Sequence, residues 1–281
     1  MTAEVHDART PTVIIRPSTG WRALDLRELW AYRELLYIFV WRDLKVRYRQ
    51  TFLGAVWVIG QPLLTMLIFT FLFHRVAKLP GPTGVPYPVF VLAGLLIWNL
   101  FANGVAKAAN SLIGSSFLIS KIYFPRLVIP FSGTLVEIVD LAVAGFLLAA
   151  LMVFYGMTPG ITVLLLPVVV LVAALLSTGL GLWSAALNVE YRDIRLLIPF
   201  LLQLAMYATP VVYPLQALPA KYRPFAMVNP MTGIVESFRA CVFGTPLPFA
   251  ANLVTLAWTL VLLASGLFYF RRMERLFADV L

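Results

Sequence analysis

Charge is what this 281-residue chain has least of: 12% of its residues are Asp, Glu, Lys or Arg, against 61% that are hydrophobic. A soluble domain carries about 25% charged and about 45–50% apolar residues. Half the usual charge cannot coat a globule of this size in water. With a mean hydropathy of +0.88 the chain belongs in a lipid bilayer, and intrinsic disorder is excluded by the same balance. Cysteine and histidine are nearly missing as well. Cys241, His6 and His74 make neither a disulfide framework nor a His/Cys metal site. No Asn-x-Ser/Thr acceptor occurs. Residues 1–20 include Glu4 and Asp7 and lack an apolar stretch of about 7–15 residues, so they are not a cleavable signal and the first span must do the targeting.

Nucleotide chemistry is missing too. No lysine follows a glycine, which excludes a G-x-x-x-x-G-K-[ST] phosphate loop. There is no Gly-rich dinucleotide fingerprint and no G-x-S-x-G elbow. ATP-driven work would need another polypeptide to bind the ATP.

What charge there is leans positive: 22 Lys and Arg against 13 Asp and Glu, a formal +9. In a soluble protein that excess would suggest nucleic acid. In a membrane chain it points to the positive-inside rule and to anionic lipid heads, and no nucleic-acid partner is expected.

Residues 1–21 are expected to form a flexible tail and residues 22–50 an amphipathic helix. Leu26, Leu29, Trp30, Tyr37, Val40, Trp41 and Leu44 recur at helical spacing, with Arg27, Glu28, Glu34, Asp43 and Lys45 largely opposite them. The stretch is too charged to span a bilayer and suits a helix lying in the interface plane. The alternative is a soluble amphipathic helix packed on another domain. Residues 51–281 then supply six candidate spans, each needing about 20 mostly apolar residues: 52–73, 88–104, 127–155, 161–187, 196–212 and 250–270. The second and fifth are short. An even number of crossings returns 17 of the 22 basic residues to the side of the N-terminus, leaving Arg75, Lys78, Lys221, Arg223 and Arg239 on the other. Both termini are therefore predicted to be cytoplasmic.

Two segments between spans stand apart. Residues 105–126, VAKAANSLIGSSFLISKIYFPR, are cytoplasmic by that count, and the amphipathic stretch ends at a helix-stopping proline. It suits docking onto a partner protein, or alternatively lying on lipid. Residues 213–249 are rich in proline yet largely apolar. Within them Asn229-Pro230 reads as an N-cap followed by proline at the first helical position, and Gly244 as the C-terminal glycine. A helix of about 14 residues is too short to cross, so it is predicted to be re-entrant or interfacial on the outer side.

Glu137 and Asp140 fall inside the third apolar tract and, at i and i+3, share a helix face. They either hold the bundle together, for instance through an arginine near the interface, or handle substrate or protons. Trp57, Trp98, Phe101, Trp183, Tyr207 and Tyr213 sit in or beside spans. They are either belt and core residues or the wall of a passage, since sugar rings stack on aromatic planes.

Five motifs in order, WRDLKVRYRQTFLGAVWVIGQPLL (41–64), LISKIYFPRLVIP (118–130), NVEYRDI (188–194), VNPMTGIVESFR (228–239) and RRMERLFADV (271–280), resemble the membrane subunit of type-2 ABC exporters. Within that superfamily they look most like the permeases that export O-antigen and related polysaccharides. The resemblance implies an all-α integral membrane subunit with six transmembrane helices, an N-terminal amphipathic interface helix and outer re-entrant helices before the last span. It implies a homodimer with a channel between the copies, two copies of a separate ATPase holding ATP and Mg, and a lipid-linked polysaccharide, typically on undecaprenyl diphosphate, crossing the bacterial inner membrane. The chain itself would be no enzyme and would hold no cofactor or metal. ATPase coupling would fall to Lys45, Arg47, Tyr48, Arg49, Lys121, Tyr123 and Arg126. Trp57, Trp98, Phe101, Tyr207 and Tyr213 would line the channel, and Asn229, Pro230, Glu236 and Arg239 would belong to the outer gate helix. The readings set against this one are an ABC exporter of a small lipid or drug, an ion-coupled secondary transporter relying on Glu137 or Asp140, and a membrane-embedded transferase.

Overall fold

A computed structural model describes residues 30–49, 54–78, 81, 84–121, 124–191, 193–274 and 277, and all regular structure among them is helical. Within the stretch expected as an amphipathic helix, 22–50, α1 covers Arg33–Arg49, while the expected tail 1–21 and residues 22–29 lie outside the described residues. This helix leads into α2 (Gly54–Phe69), which continues as a π-helix from Thr70 to Val76. Then come α3 (Tyr87–Gly114), the short α4 (Ser116–Lys121) and α5 (Val128–Phe154). A 3-10 turn (Ile161–Leu165) runs into α6 (Leu166–Glu190), followed by α7 (Ile194–Ala208). The last part holds a 3-10 turn (Leu215–Ala217), α8 (Arg223–Val228), α9 (Pro230–Phe243) and α10 (Phe249–Met273).

Five stretches are long and apolar enough to cross a bilayer: Val56–Val76, Tyr87–Gly114, Val128–Phe154, Ile161–Glu190 and Phe249–Met273. They correspond to the first, second, third, fourth and sixth expected spans. At the fifth place, α7 has 15 residues, reaching about 22 Å at 1.5 Å per residue against a hydrocarbon layer of about 30 Å. Its early stop has a local cause. Pro210 disfavours helical geometry in the residue before it, and Thr209 is extended (φ −99°, ψ 141°).

The second expected span is too short by a different error. It ends at Gly104, where a separate cytoplasmic segment was expected to begin. Instead α3 continues unbroken to Gly114, and the short α4 follows at Ser116–Lys121. Gly104 marks a close approach to Ser177 of α6, not a break. The alanines after it are good helix formers.

The central element is α3, with 78% of its most apolar window buried, compared with 17% for Val56–Val76. It packs along α5 and α6, and α6 packs along α10. The α6–α10 contact runs through small residues. A Cβ on Gly179 would lie 2.7 Å from the Leu263 nitrogen, and one on Gly266 2.6 Å from the Gly179 carbonyl oxygen. Such backbone approach is how helices associate where lipid leaves no hydrophobic drive between them. The buried apolar residues form two clusters. The larger is built around α3. The smaller, with Phe39, Phe124, Leu182, Phe270 and Phe277, joins α1 to the near ends of α5, α6 and α10.

Candidate functional site

At the α1 end of the bundle, Glu137 and Asp140 meet their partners. Arg47, near the end of α1, donates to Glu137 Oε1 at 3.2 Å and also pairs with Asp140. Lys107 of α3 pairs with Glu137. The Tyr48 hydroxyl donates to Asp140 Oδ1 at 2.6 Å. Both acids are buried, while Arg47 and Lys107 are about one-third exposed. Two basic and two acidic groups thus close on each other, which a buried carboxylate requires. Burial, then the hydrogen bond to Asp140, pushes the Tyr48 hydroxyl far above its usual range, so it remains a donor. This cluster ties the end of α1 to α5 and, through Lys107, to α3. An arginine near the interface holds both acids, one of the arrangements the sequence leaves open.

The remaining residues expected at the ATPase junction divide. Lys45 and Lys121 are exposed, the Lys121 ammonium lying 4.1 Å from the centroid of the exposed Phe117 ring. The Arg49 side chain and Tyr123 lie outside the described residues. Arg126 turns inward. Its guanidinium donates to the Glu274 carbonyl, its backbone N–H to Glu274 Oε1 at 3.4 Å, and Arg271 pairs with the same carboxylate at 3.1 Å. Phe124 packs on Phe39 with ring centroids 5.7 Å apart. The end of α10, the loop before α5 and α1 therefore form one junction.

The opposite end of the bundle is organised by α9. Asn229 Oδ1 accepts from the Met231 N–H at 3.0 Å, and the Asn229 amide donates to the Thr209 hydroxyl at 2.8 Å. Pro230 takes the first helical position, and Gly244 ends the helix with φ +73°, a left-handed conformation that favours glycine. The helix thus begins and ends where its caps predict. Arg239 is buried at 3% exposure, with its guanidinium 3.5 Å from the Phe90 ring centroid. It donates to the carbonyls of Phe90 (3.3 Å), Pro210 (2.7 Å) and Val211, and to Glu236 at 3.1 Å. The Pro210 and Val211 carbonyls need it, because the backbone leaves helical geometry after Ala208 and buried polar groups must find partners within the protein. Desolvation lowers Arg239 to about 10, with Glu236 opposing the shift, so the guanidinium remains charged at neutral pH.

The aromatic residues expected along a passage also divide. Trp98 and Phe101 are 3% and 5% exposed and pack on each other, centroids 5.5 Å apart, inside the larger core. In this fold they present no surface to a passing molecule, because α3 is enclosed by its neighbours over most of its girth. Trp57 and Tyr207 are exposed, and Tyr213 donates its hydroxyl to the Tyr207 carbonyl at 3.0 Å. The sequence reading missed two residues. Lys107 counted only toward the charge of the cytoplasmic 105–126 stretch, and Glu274 lay unremarked within the RRMERLFADV motif.

An open apolar groove of about 590 Å³ runs between α5 and α6, reaching Phe238 and Val242 of α9. Among the described residues, no three His, Cys, Asp or Glu side chains converge as a metal site needs.

These features define a multi-pass helical membrane protein. The chain belongs to the ABC-2 type transporter family, whose profile matches residues 34–243, from the first turn of α1 to the last residue of α9. The O-antigen export system permease protein RfbA of Myxococcus xanthus is 36% identical to it over 254 residues, covering 89% of this chain and 96% of the relative. RfbA of Klebsiella pneumoniae is 28% identical over 249 residues, 88% of this chain and 95% of the relative. The polysialic acid transport protein KpsM of Escherichia coli is 26% identical over 243 residues, 83% of this chain and 91% of the relative.

Proposed function

We propose that this chain is the membrane permease of an ATP-driven exporter that carries a lipid-linked polysaccharide, such as an O-antigen on an undecaprenyl diphosphate-type carrier, across the bacterial inner membrane. The observation that carries the reading is the relation to O-antigen permeases, which runs through nearly the whole of both chains. Two copies of the permease would enclose the path. The little burial of Val56–Val76 and the lack of any buried residue in α7 leave apolar surface for a second copy. Since no phosphate-binding loop is present, ATP and Mg would sit on two copies of a partner ATPase, and both termini would be cytoplasmic.

Within this reading α1 and the connection ending at Arg126 receive the ATPase. Lys45, Arg49, Lys121 and Tyr123 would make contact, while Arg47, Tyr48 and Arg126 would position the elements that do. Trp57, Tyr207 and Tyr213 are the aromatic residues left to the channel, and α9, with Asn229, Pro230, Glu236 and Arg239, would serve the outer gate as a re-entrant helix. The experiment is affinity purification of the tagged chain from its native membrane, with mass spectrometry of what stays bound. A stoichiometric P-loop ATPase, together with intracellular build-up of lipid-linked glycan when the gene is lost, is the expected result. Repeated recovery of the intact dimer without an ATPase would overturn it.

A small-molecule exporter would be favoured by an enclosed pocket in place of an aromatic channel. A proton-coupled transporter needs Glu137 or Asp140 for its cycle, and both are engaged by Arg47, Lys107 and Tyr48. A transferase would turn over a labelled lipid-linked sugar with this chain alone.

A further inference from the structure

Three carboxamides stand on the unburied side of two spanning helices: Gln61 on α2, and Asn99 and Asn103 on α3. Asn99 and Asn103 are four residues apart and so share a helix face. At 1.5 Å per residue they lie about 18 Å and about 24 Å from the Tyr87 end of α3, within a hydrocarbon layer of about 30 Å. Among the described residues none of these three side chains has a hydrogen-bond partner. They converge with Arg47, Glu137 and Asp140 on one crevice of about 40 Å³. Two other amides of the bundle do donate, Asn188 to the Ala109 carbonyl at 2.8 Å and Asn110 to Ala106 at 2.8 Å, while Gln203 of α7, exposed like Gln61 and Asn103, borders no such crevice. Several spanning hydroxyls bond back to their own helix, as Thr178 does to Ala174 at 2.8 Å and Thr259 to Thr255 at 2.7 Å.

A primary amide carries two donors and an accepting oxygen. Facing lipid, it would leave them all unmet, which membrane proteins avoid except where a cavity holds water. This side of α2 and α3 therefore belongs against something wet. We propose that Gln61, Asn99 and Asn103 form a hydrated wall of the translocation path and hydrogen-bond the hydroxyls of a passing glycan. A carboxamide both donates and accepts, as a sugar hydroxyl does. The adjoining two bases and two acids pair with each other, leaving the wall without a net charge to trap a charged polymer. The crevice has room for a water-sized group but not for a sugar ring, so the polymer is touched hydroxyl by hydroxyl and stays free to slide. Naming a glycan rests on the export function proposed above. The hydrated wall rests on the unpaired amides alone.

The test uses the full-length chain in membrane vesicles of both orientations. Cys241 is its only cysteine and is buried, so the unmodified protein supplies the background. Asn99→Cys and Asn103→Cys are compared with Phe146→Cys and Leu171→Cys, which replace residues exposed on the apolar faces of α5 and α6. The probe is a small charged thiosulfonate that reacts with the thiolate, so the amide positions should react at least about tenfold faster than the controls. Equal or slower reaction overturns the hydrated wall. In the second arm, Asn99→Leu/Asn103→Leu is expected to retain its melting temperature and any bound ATPase while surface polysaccharide falls several-fold and lipid-linked glycan is held inside. Normal export with a raised melting temperature, the behaviour of amides relieved from lipid, overturns the polymer contact. If the chain exports no glycan, the polymer contact and the proposed function fall together, whereas unreactive cysteines remove the wall and leave that function standing.

Discussion

Arg47 and Arg239 are cations at opposite ends of the bundle, and their partners differ in kind. Arg47 answers two carboxylates, so its removal strands charge; Arg239 answers three carbonyls and one carboxylate, so its removal strands backbone. Removing one member of a buried ion pair costs about 3–5 kcal/mol. Because Arg47 is one-third exposed, Arg47→Ala is expected near the lower end of that range. In a thermal unfolding series in detergent, Arg47→Ala/Asp140→Ala should lose clearly less than the sum of the two single losses, since the second change removes a charge the first left unpaired. Arg239→Lys keeps the charge but lacks the planar fork. It should cost about 1–3 kcal/mol for each carbonyl left unmet, read as a lower melting point and faster proteolysis between Thr209 and Asn229. Neither set of partners is legible in the sequence. Glu137 and Asp140 declare themselves as acids in an apolar tract, but Arg47 lies 90 and 93 residues away from them, and no local pattern carries that pairing. The aromatic residues mislead for a related reason. Trp98 and Phe101 look alike in sequence whether they line a wall or fill a core, and only the packing around α3 decides.

Helices were far more legible than their contacts. Hydropathy placed four spans to within a few residues and stopped the second ten residues short of Gly114, and the cap chemistry of Asn229, Pro230 and Gly244 marked both ends of α9. Two errors share a cause, since hydropathy cannot see what a helix end needs. Gly104 and Lys107 lower the local hydropathy of α3 although the helix continues, while Val211 and Val212 extend the apolar run of α7 although Pro210 has already ended its helix. Small residues between helices bring a prediction of their own. Gly179→Ala would press a methyl against the backbone of α10 and force α6 away, an expected loss of about 1–3 kcal/mol. Gly145→Ala meets no atom within 4 Å and should be neutral or gain up to about 1 kcal/mol from helix propensity. Melting temperatures of the two variants side by side check the contrast.

For the molecule as a whole, the two apolar clusters divide the labour. The larger organises the spans around α3 and reaches α9, while the smaller binds α1, the loop at Phe124 and the end of α10 into the surface at which an ATPase would push. A push on α1 reaches the spans directly through Arg47. With that surface in the cytoplasm, as proposed, alkaline phosphatase fused after Leu281 should be inactive and green fluorescent protein at the same place bright. The reverse result would invert the topology. The Arg239 lock also bears on how the protein is made. The Phe90 carbonyl it needs is synthesised 149 residues earlier, and those of Pro210 and Val211 only 29 and 28 residues earlier. During translation the guanidinium is therefore the last of these partners to be made, and the carbonyls of Phe90, Pro210 and Val211 gain their shared donor only once Arg239 has been added.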